Sequence, residues 1–399
     1  MLVRFVRFLA CPICMGTLDL QITRTAAVSL SSDDESVLNG VVQSERASEL
    51  TTEVITGALT CSNCGIYYPI HDGVPRMLTY RTAVARFHAE QNREWIRQHL
   101  SSFVLPNLEA PPGEEAVLRN FSREWQGYKW SGQSYWQTTP EHMIRCMRYV
   151  LGLDRHGVFH KLVLEVGIGI GGIADSLSQR ESCELVGMDL GYAVDQAYRY
   201  FGHNPRFHIV QGSLFAPPFR PGTFDFVYSQ GVLHHTYSTE AAFKRIANLP
   251  KPTNGILCVW IYSHRYEKVT PFRRLLSMAE NVCRPVLTHL PGPLQTAALA
   301  PTVPLYILYQ NVYRRRKMDR DTAAVYGWNE GLHAARDRLI PPFAHRHSYE
   351  EVSEWFKSSG YHDLELLQDE ELPAGIPDVF PLNVGIRATR HEVCETVTV

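Results

Sequence analysis

The 399-residue chain has no apolar run long enough to cross a bilayer: its most apolar later stretch, Thr296 to Tyr313, is broken by Pro301, Pro304 and Gln310. A membrane span is therefore not expected. An export signal is not expected either, because Arg4 and Arg7 interrupt the apolar opening before an h-region can form. Neither sign of charge is in excess, with 39 Lys and Arg against 41 Asp and Glu and a net charge of -2. That balance argues against a protein whose main task is to neutralise phosphates over a wide surface, and it favours a small-molecule substrate. Cysteine is too unevenly placed for a disulfide framework: of nine, four fall in two pairs and five are scattered singly. Together these absences predict a cytoplasmic globular protein of two or three domains. They leave its oligomeric state open.

What is present begins with the two cysteine pairs. Cys11-Pro-Ile-Cys14 and Cys61-Ser-Asn-Cys64 each place two thiolates on one side of a tight turn, so that four can close a tetrahedron around zinc. A redox dithiol is the alternative, although such motifs usually come singly at a helix start. Between the pairs, the polar tract Ser31 to Ser36 reads as a loop that leaves the knuckles free to meet. With Leu9-Ala10 before the first pair and Tyr67 to Leu78 after the second, residues 1–80 resemble the zinc ribbon of the small activator subunit of transfer-RNA and release-factor methyltransferases. The resemblance implies that Cys11, Cys14, Cys61 and Cys64 are structural ligands and that His71 stays outside a closed set.

Residues Leu162 to Val166 form an apolar run interrupted only by Glu165, and alternating Gly167, Gly169 and Gly171 follow. Such a run is a buried strand delivering the chain to a turn where a ligand can approach bare backbone at a helix start. The next strand ends at Asp189, about 20 residues on, where nucleotide-binding βαβ units hold ribose hydroxyls. Further strands at Arg206–Val210, Phe224–Ser229 and Ile256–Tyr262, with a helix from about Ser238, predict a doubly wound α/β sheet. From about Lys161 to His264 the chain resembles the class I methyltransferases that use S-adenosylmethionine. That resemblance implies a seven-stranded Rossmann-like sheet and cofactor contacts from Glu165, Gly167, Gly169, Gly171, Asp189, Ser213, Leu214 and Gln230. One departure stands out: Ser213 occupies the place of the family's Asp toward the adenine amino group. A dehydrogenase would use similar architecture, but Glu165 and the Gly231 to His235 segment favour methyl transfer.

Around this core the sequence divides into a ribbon (1–80), an aromatic-rich helical linker or cap (81–153), the cofactor core (154–263), an insertion (264–337) and a closing segment (338–399). Trp125 to Trp136 is expected to wall the site in part, with packing between ribbon and core explaining most of the aromatics. The insertion carries helical apolar spacing and basic groups at Arg273-Arg274 and Arg314 to Lys317. It is either a substrate lid or an added helical layer. Ser348 to Glu351 reads as a capping box, and His362–Leu367 with Asn383–Thr389 as the closing hairpin.

For chemistry, His234 and His235 are the candidate bases, because a neutral imidazole beyond the fourth strand can take a proton from a hydroxyl acceptor. His345 and His347 are further candidates, and packing at a helix start is the plain alternative. Three functions follow: methyl transfer from S-adenosylmethionine to a small or lipid-like metabolite, methylation of ribosomal or transfer RNA with the ribbon gripping RNA, or a non-catalytic cofactor-binding interaction protein.

Overall fold

The computed structural model describes residues 1–44, 46–128, 130, 139–265, 271–314, 324–369 and 382–390. Two sheets dominate it. Strands β1 (Asp19–Ala27), β2 (Thr52–Cys61), β3 (Ile66–His71) and β4 (Val74–Pro75) form an antiparallel sheet in sequence order. The larger, seven-stranded sheet comprises β5 (Leu162–Val166), β6 (Glu184–Asp189), β7 (Phe207–Gln211), β8 (Phe226–Gln230), β9 (Ile256–Ile261), β10 (Tyr361–Leu366) and β11 (Val384–Arg390). Its order is β10-β11-β9-β8-β5-β6-β7, with β5 to β9 parallel and β11 antiparallel to both β9 and β10. This is the predicted seven-stranded Rossmann-like α/β fold, with strand ends within a residue or two of expectation.

Alternation along the strands builds two cores. Val163, Leu185 and Ile209 face the helices Pro140–Leu151, Gly172–Arg180 and Ala193–Phe201. Leu164, Val186 and Val210 face the opposite way, where Thr239–Ile246 and Tyr349–Ser358 cover only part of the sheet. The connection from β7 to β8 carries no helix, so the face over β6 and β7 lacks its usual cover. The ribbon supplies that cover: Phe5, Phe8, Leu59 and Tyr68 join Val186, Met188 and Val210 in one apolar cluster. Ala10 N–H donates to the Pro218 carbonyl at 2.9 Å, tying the ribbon to the helix-free connection. Beneath it Arg4 and Glu184, both fully buried, form a 2.7 Å ion pair, and His208 meets the same carboxylate at 2.7 Å. Arg76 pairs with Asp195 at the same seam.

The tract expected as a loop is instead the start of a helix, Ser32–Val41. Ser31 and Asp34 make a reciprocal capping box, and Asp33 and Asp34 pair with Arg206. The acids that looked like loop polarity thus satisfy a helix N-terminus and dock it on the core. At Ser348 only half of the predicted box forms. Its hydroxyl accepts from the Glu351 N–H, while the Glu351 carboxylate turns to His347 Nδ1 at 2.9 Å.

The insertion folds as helices Pro271–Leu287, Gly292–Leu299 and Val303–Leu308, followed by Trp328–Leu339. It packs on the helix Glu114–Gln126 through Gln295, which meets Asn120 and Arg123 at 3.4 Å each, and through His333 against Trp125. Among the described residues, no helix is long and apolar enough to cross a membrane. The aromatic pair Tyr135 and Trp136, the side chain of Arg273 and the run Arg315 to Lys317 lie outside the described residues.

Candidate functional site

The glycine turn sits where β5 ends and the Gly172–Arg180 helix begins. Gly167, Gly169 and Gly171 all have positive φ, at 84°, 53° and 76°, a region that side-chain-bearing residues rarely adopt. Space forbids side chains too: a Cβ on Gly169 would lie 2.9 Å from the Trp125 ring, and one on Gly167 would lie 2.2 Å from Val232. The turn is held by Asp189 at the end of β6. Its Oδ2 accepts from the Gly169 N–H at 3.0 Å and its Oδ1 from the Gly191 N–H at 2.8 Å. Burial pushes this carboxyl up to about 6, against the pull of those donors. Glycine turn and acid therefore lie side by side, as the spacing predicts.

Glu165, on β5, accepts from the Tyr228 hydroxyl of β8 at 2.7 Å. Burial raises its carboxyl to about 8, with the nearby Asp189 charge adding to the shift. Gln230, at the end of β8, has its Oε1 buried without a hydrogen bond in the structure. Leu214 is half-buried and packs on the apolar cluster shared with the ribbon.

At the end of β7, Ser213 is buried and its hydroxyl donates to Glu114 Oε2 at 2.5 Å. Glu114 is the first residue of the Glu114–Gln126 helix and is 5% exposed. Burial raises its pKa, opposed by Ser213 and the nearby Tyr80 hydroxyl. Its Oε1 is buried with no hydrogen bond. No sequence signal marked this residue, because nothing in a helix-opening Glu-Glu pair tells of a serine 99 positions away. The same helix places the Ser122 hydroxyl 2.8 Å from the Tyr192 N–H and Phe121 against His235.

His234 and His235 occupy a short 3-10 turn beyond β8 and are both buried. His235 Nδ1 lies 2.7 Å from the Phe343 carbonyl, so it donates there and leaves Nε2 as an acceptor. His234 stacks on Tyr262 with ring centroids 3.8 Å apart, and its Nδ1 accepts from the Tyr262 N–H at 3.4 Å. Burial lowers His235 to about 4 and holds His234 well below the usual histidine range. His345 joins them through its N–H to the His234 carbonyl at 2.9 Å. The Nε2 atoms of His234, His235, His345 and His347 are all buried without a hydrogen bond. The structure thus brings the predicted imidazoles together, with burial holding His234, His235 and His345 toward the neutral form.

The four predicted cysteine ligands also meet. Their sulfurs all lie within 4.8 Å of one another, with Cys11 to Cys64 at 3.9 Å and Cys14 to Cys61 at 3.5 Å. A zinc tetrahedron with bonds of about 2.3 Å has edges of about 3.8 Å, so the donor set fits that ion. Among the described residues no other Cys, His or acidic side chain joins the group, and His71 lies outside it.

Residues 164–259 match the methyltransferase domain family, and residues 4–73 match the Trm112p-like protein family. The sterol 24-C-methyltransferase of Schizosaccharomyces pombe is 30% identical over 45% of this chain and 51% of its own length. That of Eremothecium gossypii is 29% identical over 49% of this chain and 63% of its own. The chain thus spans only about half to two thirds of the length of these curated relatives. Among solved structures, a phosphoethanolamine N-methyltransferase of Haemonchus contortus aligns at 13% identity and a TM-score of 0.40, covering 72% of this chain and 62% of that one. A complex containing the Haloferax volcanii Trm112 methyltransferase activator aligns at 14% identity and a TM-score of 0.36, covering 63% and 93%. With the glycine turn, the strand-end acids and the four-cysteine cluster in place, the chain joins a Trm112p-like domain to a methyltransferase domain whose sheet the first domain covers.

Proposed function

We propose that the protein transfers a methyl group from S-adenosylmethionine to a small, lipid-like acceptor. The observation that carries this reading is the row of groups at the carboxyl ends of β5, β6 and β7, running from the glycine turn past Asp189 to Ser213 and Glu114. Bound there, the sulfonium supplies an electrophilic methyl carbon, so the protein's tasks are to hold the cofactor, aim the acceptor and keep water out.

Each residue has a role in that reading. Glu165, once ionised, faces an ammonium. Asp189 retains lone pairs for two ribose hydroxyls beyond its backbone donors. Ser213 and Glu114 together replace the single acid that is missing after β7, with Glu114 Oε1 accepting from the adenine amino group. Leu214 packs beside the adenine, and Gln230 offers an unengaged amide oxygen from β8. His235, neutral and with Nε2 unprotonated, takes a proton when the acceptor must lose one, and His234 backs it. Zinc in the cysteine cluster is structural, with four thiolates leaving no open position.

The lipid-like acceptor is supported by the sterol methyltransferases among the relatives, and the near-neutral charge of the chain weighs against RNA. The test is incubation of the purified protein with labelled methyl donor and fractionated extract. Label in the lipid or metabolite fraction is the expected result. Label in RNA would replace the acceptor class, and no label with intact cofactor binding would reduce the protein to a cofactor-binding scaffold.

A further inference from the structure

Two helical stretches of the insertion turn apolar side chains outward, where water favours polar ones. In Pro271–Leu287, the polar side chains of Ser277, Glu280 and Arg284 are buried. Arg284 donates to the Arg338 carbonyl at 3.0 Å, and Glu280 pairs with Arg338. The outward stripe is Met278, Val282 and Val286, 59%, 76% and 64% exposed and spaced four residues apart. One helical turn before them, Arg274 is exposed as well.

The second stretch is apolar on its exposed side as well as its buried one. From Gly292 to Arg314 the chain is continuously helical, passing through a 3-10 turn and a π turn. Its buried side holds Gln295 and Gln310 beside Leu299 and Val303, while Leu294, Pro301, Leu305, Leu308 and Val312 are exposed, the last four at three- or four-residue spacing. No Asp, Glu, Lys, Arg or His occurs from Leu290 to Tyr313, and no carboxylate from Asn281 to Met318. A solvated helix would put charges where these leucines stand, and concentrated apolar exposure of this kind marks an interaction face.

We infer that this face of the insertion docks on the surface of an anionic lipid bilayer, lying in its interface without crossing it. The chemistry of the face selects that occupant. Its apolar stripes match the acyl boundary, and its lack of carboxylates, with Arg274 at its rim, matches anionic headgroups. A second copy is a poorer partner, because a two-fold contact would set the same arginine-bearing, carboxylate-free surface against itself. The insertion also packs on the helix that covers the glycine turn. The docking itself does not depend on methyl transfer.

The experiment is sedimentation of the full chain with phosphatidylcholine vesicles, with and without phosphatidylserine, in the absence of any methyl donor. Binding to the anionic vesicles is expected, falling about tenfold or more as salt screens the headgroups. Val282→Glu and Leu305→Glu, both at exposed positions, should abolish it while leaving the melting temperature unchanged. A wild-type protein that stays in solution with both vesicle types would overturn the inference, as would variants that sediment like the parent. Light scattering that shows a stable dimer dissolved by the same substitutions would assign the face to a second copy and overturn it as well.

Discussion

At Glu165 the site carries a carboxyl that burial holds largely protonated near neutrality, with a pKa of about 8. A ligand ammonium needs the ionised form, so binding below that pH must expel a proton. Affinity for S-adenosylhomocysteine should therefore rise with pH, by about tenfold per unit at most, and level off near 8. Calorimetry in buffers of different ionisation enthalpy will register the released proton, and Glu165→Gln should flatten the profile. Glu114 makes a separate prediction. S-inosylhomocysteine presents an oxo group where the adenine amino group would be, so the wild-type protein should prefer the adenosyl ligand. Glu114→Gln, whose amide can donate, should shrink that preference about tenfold or more, since an unmatched buried polar pair costs about 1–3 kcal/mol. An unchanged ratio would remove Glu114 from adenine recognition. The glycines and Asp189 were legible from spacing because they belong to one βαβ unit, from β5 to the end of β6. Glu114 was not, because only the fold carries it to Ser213.

Among elements, the helix Ser32–Val41 shows where composition misleads. Ser, Asp and Glu in succession serve loops and helix starts alike, and the reciprocal bond between Ser31 and Asp34 decides between them. Ser31→Ala should lower stability by about 1 kcal/mol, read as a shift of the denaturation midpoint without a change of slope. The parallel strands were easier to place, because residues buried on both faces of a sheet must be apolar throughout. The outward apolar stripes of the insertion escaped notice for the opposite reason. Periodicity reveals that a helix has an apolar side without revealing whether that side meets the protein.

For the whole molecule, the decisive fact is a core that belongs to both domains. Phe5 and Tyr68 of the ribbon share an apolar cluster with Val186 and Val210 of the sheet, above the buried Arg4–Glu184 pair. Packing between ribbon and core was expected from the aromatic-rich linker, but no pattern in either half announces the ribbon as the cover of β6 and β7. Glu184→Ala leaves a buried guanidinium without its partner and should cost about 3–5 kcal/mol in the unfolding of the entire chain. Chelation of the metal should lower a single cooperative transition seen by both domains. Two resolved transitions, with the sheet melting unaffected, would contradict the shared core.

Because the Trm112p-like half is borne on the same polypeptide and roofs part of the sheet, its stoichiometry with the methyltransferase half is locked at synthesis. What remains variable is whether the four-cysteine cluster, whose donor set fits zinc, is filled.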